Sequence, residues 1–192
     1  MLITPAGLFV DTSGWADSVL RNTPDHAAME AFFKQTVADR RTLITTNYVV
    51  AELVALLTTR SRASRPQILA LVNSLKRMPN LRIIHIDPAL DDEAWSLLER
   101  QPDKDWSLVD AASFVVMRHL SIAQAFTTDQ HFVQAGFVRL PERQSGRTAR
   151  TASANTSLRA CAGRYVHPCT RFKEVYAEHR QYVPGASLAP AR

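Results

Sequence analysis

Short apolar runs and longer amphipathic stretches alternate along residues 7–140 of this 192-residue chain. The short runs have the length and apolar character of buried strands, and they lie at residues 8–10, 42–45, 81–86, 123–126 and 137–140. Apolar residues at helical spacing predict a helix that begins at residue 12 and further helices at residues 25–39, 47–60, 64–77, 88–100, 107–120 and 129–134. This alternation predicts an α/β fold with a mostly parallel central sheet that has helices on both faces.

Two predicted helices carry details that bear on packing. In the helix at residues 25–39, the apolar stripe is expected to contain Ala28, Phe32 and Val37. The helix at residues 47–60 is expected to be capped by one of residues 45–47, because threonine and asparagine side chains satisfy free amide groups at a helix start.

The first apolar run ends abruptly in a carboxylate, Asp11, followed by two hydroxyls and a glycine. A buried parallel strand that delivers an acid to its carboxyl end places that acid where ligands bind in open α/β sheets. The alternative is that Asp11 only caps the helix that follows. Other acids at the same edge would favour the functional interpretation.

Three further acids occupy comparable places. Glu52 lies in the first half of its helix, three residues after Val49 and four before Leu56, at the border of the predicted buried stripe. A partly buried glutamate paired with an arginine is the alternative there. Asp110 lies three residues after Ser107, a spacing that also fits a capping box. The fourth acid repeats the arrangement of the first, since Asp129 follows an apolar run and two threonines.

All four acids map to the carboxyl ends of strands or to the first turns of the adjoining helices, and in a parallel sheet these points share one edge. Like charges about 4 Å apart repel by roughly 4 kcal/mol at an effective dielectric near 20, so such a cluster favours a bound cation. Carboxylate oxygens suit Mg²⁺ or Mn²⁺, and no cysteine or histidine is expected among them to favour zinc. A metal-bound water is a nucleophile suited to phosphodiester hydrolysis.

Four motifs in order resemble those of PIN domains, especially the VapC-type toxins of bacterial toxin–antitoxin pairs: FVDTSGW, TNYVVAEL, DKDWSLVDAASFVVM and AFTTDQHFVQAGFVRL. The resemblance covers residues 8–140. It implies a three-layer α/β/α fold, a ribonuclease that depends on Mg²⁺ or Mn²⁺, and a cognate antitoxin protein that blocks the site. A homodimer is an open alternative to a monomer.

The resemblance also implies roles for particular residues. Asp11 and Asp110 match the first and third acids of the family and are expected to be the principal metal ligands. Glu52 and Asp129 match the second and fourth acids and would complete the ligand shell, directly or through water. Asp105 matches a further acid that often precedes the third, and it is expected to support the ligands together with two hydroxyl residues, Thr12 and Ser107.

The charge of the chain is unevenly distributed. Residues 1–142 contain 14 basic and 16 acidic residues, whereas residues 143–192 contain 9 and 2, so the formal net charge of +5 belongs to the C-terminal part. The composition of the C-terminal part predicts a basic, disordered tail at residues 143–192 after a PIN-like domain at residues 1–142. Cys161, His167 and Cys169 in this tail are interpreted as a chance grouping rather than a zinc site.

Other features leave alternatives open. His131 is either close to the acids or a surface histidine, and Trp15 and Trp106 are expected to pack beside the active edge, although Trp106 could stack on a base. Arg60, Arg62 and Arg65 either contact phosphate or a partner or are simply solvated.

No secretory signal and no apolar run of about 18 residues is present in the sequence, which predicts a soluble cytoplasmic protein with no membrane partner. Two other functions compete with the nuclease. A receiver-like domain would accept phosphate on Asp11, but the lysine expected after its last strands is missing from residues 126–140. A non-catalytic PIN-fold binding module would not need all four acids.

Overall fold

The computed structural model describes residues 7–20, 23–61 and 63–142. In these residues five strands are present: β1 (Leu8–Val10), β2 (Leu43–Thr46), β3 (Leu81–Ile84), β4 (Gln124–Phe126) and β5 (Val138–Leu140). The helices of the same residues are α1 (Thr12–Val19), α2 (His26–Ala38), α3 (Asn47–Arg60), α4 (Arg65–Lys76), α5 (Pro88–Glu99), α6 (Leu108–His119) and α7 (His131–Gln134). The predicted tail at residues 143–192, with Cys161, His167 and Cys169, lies outside the described residues.

The five strands form one sheet in the order β3-β2-β1-β4-β5, and every neighbouring pair is parallel. The predicted α/β fold with a parallel central sheet is therefore confirmed. β1 lies in the middle, with all three of its residues buried, because a strand covered on both faces is apolar throughout. The chain leaves β1 towards β2 and β3 and later returns to β4 on the other side of β1. The carboxyl ends of β1 and β4 therefore flank the point at which the strand order reverses, where open α/β sheets form their ligand crevice.

Side-chain caps fix the beginnings of two helices near this edge. The Thr46 hydroxyl accepts a hydrogen bond of 3.1 Å from the Val49 amide and so caps α3, which decides among the three capping residues that the sequence leaves open. Ser107 caps α6 in the same way, through the Asp110 amide at 3.1 Å. Thr46 ends the fully buried strand β2, whereas Ser107 is exposed and follows a loop, so the two helices begin in different surroundings.

The buried face of α2 differs from the predicted one. Ala28 is exposed and Phe32 is only partly buried, whereas the core-facing residues are Met29, Phe33 and Thr36. The prediction was therefore wrong for Ala28 but right in part, since Phe32 and Val37 are partly buried and pack against the core. A tertiary contact marks the centre of the buried face, where Phe33 packs edge-on against Trp15 of α1 with ring centroids 5.6 Å apart.

Gly14 allows α1 to begin directly against the end of β4. A Cβ atom at this position would collide with the backbone carbonyl oxygen of Phe126, which cannot move aside without disturbing the sheet. This close approach brings the residues after β1 next to those after β4. The predicted packing roles of the two tryptophans are also confirmed, since Trp15 and Trp106 are buried and Trp106 packs edge-on against Phe114 at 5.0 Å.

None of the helices in the described part of the chain is both long and apolar enough to cross a lipid bilayer.

Candidate active site at the carboxyl edge of the sheet

Asp11 is buried immediately after β1, with 5% of its surface exposed. Its Oδ2 atom accepts hydrogen bonds from the Ser13 amide at 3.2 Å, the Ser13 hydroxyl at 2.8 Å and the Thr127 hydroxyl at 2.9 Å. The bond from the Ser13 amide makes Asp11 the N-cap of α1, while the bond from Thr127 ties it to the chain after β4. The capping and site interpretations therefore apply to the same carboxyl group.

Burial raises the pKa of Asp11 from 3.8 to about 6, because a charged carboxylate is poorly solvated at this position. Hydrogen bonds from Ser13 and Thr127 oppose this effect but do not cancel it. A nearby cation would therefore favour the charged form of this carboxyl group.

Asp110 lies in the first turn of α6 and is 9% exposed. Its Oδ2 atom accepts hydrogen bonds from the Ser107 amide at 2.8 Å and from the Ser107 hydroxyl at 2.9 Å. These bonds complete a capping box, as the sequence spacing predicts. The box holds the carboxylate in one orientation at the helix N-terminus, where the helix dipole favours negative charge.

Asp129 lies between β4 and α7 and is fixed on both sides. Its amide donates to the Thr127 hydroxyl at 2.9 Å, and its Oδ1 atom accepts from the His131 amide at 2.9 Å. Thr127 thus contacts both Asp11 and the backbone of Asp129, and it joins the two acids across the crevice.

His131 lies beside Asp110 and Asp129, which is one of the two positions that the sequence leaves open for it, and the expectation of no histidine among the acids was wrong. Its ring Nδ1 is 3.2 Å from Asp110 Oδ2 and 3.6 Å from Asp129 Oδ1. One ligand atom from each of these three residues lies within 4.8 Å of the others. In the sequence, His131 follows Asp129 by two positions, which is the hint that the sequence offers. Its approach to Asp110 depends on how α6 and α7 pack.

Glu52 is exposed on α3, which counts against the alternative of a partly buried glutamate. Its Oε2 atom accepts a hydrogen bond from the hydroxyl of Thr12, the residue next to Asp11. Its described partner is thus a threonine of the site rather than an arginine. The exposure fits its place at the border of the apolar stripe, since Val49 is buried and Leu56 is only partly buried.

Among the described residues, the closely spaced group of possible ligands contains Asp110, Asp129 and His131. Asp11 joins it through Thr127, and Glu52 is connected through the Thr12 hydroxyl. The predicted supporting roles of Thr12 and Ser107 agree with hydrogen bonds to Glu52 and Asp110, but Asp105 is exposed and has no hydrogen bond to the described residues of the site. Of the three arginines, Arg60 and Arg65 are exposed at facing ends of α3 and α4, and Arg62 lies outside the described residues.

The donor set fits a small divalent cation. Ligands on opposite sides of such an ion, each about 2.1 Å from it, are about 4.2 Å apart, and neighbouring ligands are about 3 Å apart. The separations of up to 4.8 Å among Asp110, Asp129 and His131 need only a small closure to meet these values. The hydrogen bonds from Ser107 to Asp110 orient the ligating oxygen, as is common around protein metal sites.

A cavity of about 540 Å³ opens beside Thr127 and Thr128, between α2 and the end of β5. Arg139 lines it and donates a hydrogen bond of 3.2 Å from Nη1 to the carbonyl oxygen of Thr128. The cavity is large enough for a group the size of a nucleotide, and Asp25 and Glu142 line it together with Arg139.

Comparisons with known proteins bear on the family and the fold. The family model described as PIN domain matches residues 8–138. The chain is 35% identical over 134 residues to the 23S rRNA-specific endonuclease VapC20 of Mycobacterium tuberculosis, in strains CDC 1551 and H37Rv, covering 69% of this chain and 97% of that protein. The crystal structure of Mycobacterium tuberculosis VapC20, described as a sarcin-ricin loop cleaving toxin, superposes with a TM-score of 0.61 at 30% identity, covering 69% of this chain and 97% of that one.

The raised pKa of Asp11 predicts how the stability of the metal-free protein depends on pH. The folded state binds a proton more tightly than the unfolded state, so this group's contribution to stability falls as pH rises from about 4 through 6. Between pH 5 and 7.5 the wild type should lose roughly 1.4 kcal/mol of unfolding free energy that Asp11→Asn does not lose. Urea unfolding of both proteins in EDTA measures the difference, and parallel pH profiles would contradict the assigned burial.

Proposed function

The chain belongs to the PIN domain family, and from that premise we propose that it is a divalent-metal-dependent endoribonuclease that acts as the toxin of a toxin–antitoxin pair. The observation that carries the proposal is the grouping of Asp110 with Asp129 where the strand order reverses, together with the link from Asp11 to Asp129 through Thr127. Support also comes from the relatives, because the chain covers 97% of an endonuclease with which it shares 35% identity.

We assign the metal-binding role to the four acids, with Asp11 and Asp110 as principal ligands and Glu52 and Asp129 completing the shell. A bound Mg²⁺ or Mn²⁺ would activate a water molecule and stabilise the charge that develops on the phosphate. The exposed Glu52 carboxylate is suited to orient the attacking water, because Thr12 fixes one oxygen and solvent reaches the group. Thr127 and Ser13 hold Asp11 in place, while Ser107 does the same for Asp110.

The substrate is RNA, and we propose ribosomal RNA as its class because the VapC20 relative is described as specific for 23S rRNA. Arg60 and Arg65 are exposed and available for contacts with phosphate or with a partner. Because such contacts are between charges, they would weaken as the salt concentration rises. A cognate antitoxin would control the enzyme by covering the acids. The family assignment and the presence of all four acids favour a nuclease over a receiver-like domain or a non-catalytic binding module.

Replacing Asp11 or Asp110 by asparagine separates catalysis from architecture. Asparagine serves nearly as well as aspartate at an N-cap, so both variants should fold, but each loses a charge that the metal needs. We expect each variant to lose nearly all cleavage, at least about a hundredfold. The measurement is cleavage of total RNA, with ribosomal RNA resolved, in Mn²⁺ and in EDTA.

Asp39→Asn is the matched control for this experiment. Asp39 is exposed after α2, ahead of β2 and thus at the opposite edge of the sheet, and it accepts a hydrogen bond from Gln35 at 2.8 Å. This variant should cleave as the wild type does. Cleavage by Asp11→Asn at the wild-type rate, or undiminished wild-type cleavage in EDTA, would rule out the proposed mechanism.

We propose that the domain boundary lies near Glu142. The family match ends at residue 138, and the last strand, β5, ends at Leu140. A chain that ends after Glu142 should therefore keep its melting temperature within a few degrees and retain cleavage. Thermal unfolding of the full and shortened chains tests this boundary, and a loss of ten degrees or more would show that residues beyond 142 pack on the domain.

A further inference from the structure

We propose that His131 supplies a nitrogen ligand to the divalent ion of this site and thereby makes the site prefer Mn²⁺ to Mg²⁺. The inference rests on the proposed nuclease function and extends it to the choice of metal. The observation behind it is the position of His131 Nδ1, 3.2 Å from Asp110 Oδ2 and 3.6 Å from Asp129 Oδ1.

The distances suit neighbouring ligands of one ion. Ligand atoms about 2.1–2.2 Å from a common ion and at right angles to each other are about 3 Å apart, close to both separations of Nδ1 from the carboxylate oxygens. The ring is partly exposed, with 26% of its side-chain surface accessible, so an ion can reach Nδ1 from solvent.

Neighbouring contacts fix the backbone of His131, from which the ring extends. Its amide donates to Asp129 Oδ1 at 2.9 Å, and the next residue, Phe132, is fully buried. The Phe132 ring packs edge-on against Phe114 of α6 at 5.0 Å, which ties α7 to the helix that carries Asp110. The imidazole therefore meets Asp110 because α6 and α7 share one aromatic cluster.

Hydrogen bonding allows the ring to change from donor to ligand. In the neutral imidazole with its proton on Nε2, Nδ1 has a free lone pair for a metal. Asp110 Oδ2 then loses the hydrogen bond from His131 but keeps those from the Ser107 amide and hydroxyl at 2.8 and 2.9 Å. No buried carboxylate oxygen is left without a partner by the exchange.

The chemistry of the two ions gives the direction of the preference. Mg²⁺ strongly favours oxygen ligands and gives up its water reluctantly. Mn²⁺, a transition-metal ion, accepts imidazole nitrogen more readily than Mg²⁺ does. A site of carboxylates alone suits both ions, so a nitrogen in the ligand set shifts the balance towards Mn²⁺. The alternative is that His131 only donates a hydrogen bond to Asp110, in which case its loss affects both ions alike.

Metal binding by the full-length chain distinguishes these cases. Titration calorimetry with Mn²⁺ and with Mg²⁺ is performed on the wild type, His131→Asn, Asp129→Asn and His119→Asn. His119 is the matched control, because it is half exposed and pairs with Glu93 at 2.8 Å away from the acids. We expect His131→Asn to weaken Mn²⁺ binding at least tenfold and Mg²⁺ binding less than threefold, with His119→Asn unchanged.

Electron paramagnetic resonance of the Mn²⁺-loaded wild type supplies a second, mutation-free measurement. Electron spin echo modulation from a directly bound ¹⁴N should be present in the wild type and in His119→Asn, and absent in His131→Asn. Its absence from the wild type would overturn the proposal even if His131→Asn failed to fold.

The outcomes separate this proposal from the nuclease proposal. If the wild type binds both ions, Asp129→Asn weakens both and His131→Asn leaves the ratio of the two Kd values unchanged, only the role of His131 is overturned. If the wild type binds neither ion at millimolar concentration, the metal-dependent mechanism and the role of His131 are overturned together.

Discussion

Burial of the Asp11 carboxyl group at the end of β1 is the constraint on which the rest of the site depends. The group directly follows the middle strand of the sheet and is buried. Its negative charge is therefore costly in the absence of a cation. Ser13 and Thr127 offset part of that cost with three hydrogen bonds. Gly14 lets α1 approach β4 closely enough for Thr127 to take part. Ser13 and Gly14, which follow β1, thus both help to hold the Asp11 carboxyl group in place.

The acids of the site also cap helices. Asp11 caps α1, Asp110 completes the capping box of α6, and Asp129 accepts the amide of the first residue of α7. In a parallel α/β fold the carboxyl edge of the sheet is also where the helices begin, so their positive dipole ends meet the carboxylates there. For Asp11 and Asp110 the sequence leaves capping as an alternative to metal binding, but the structure shows that capping does not exclude a place at the shared edge.

The strands, the parallel sheet and the shared edge of the acids could be predicted because they depend on local periodicity and on the rules of α/β topology. The most buried face of α2 could not be predicted, because it depends on the contact between Phe33 and Trp15 as well as on the pattern within the helix. The place of His131 depends on the packing of Phe132 against Phe114. The hydrogen bond from Thr12 to Glu52 likewise depends on packing, because it requires α1 and α3 to lie side by side.

The central claim is that a divalent ion is held by the acids where the strand order reverses between β1 and β4. Anomalous diffraction from crystals soaked in Mn²⁺ tests it most directly, because it locates the ion without reference to activity. The account predicts a strong peak within about 2.3 Å of carboxylate oxygens of Asp11 and Asp110, with Asp129 bound directly or through water. Ordered Mn²⁺ found only elsewhere in the molecule, with these carboxylates free of metal at saturating concentration, would contradict it.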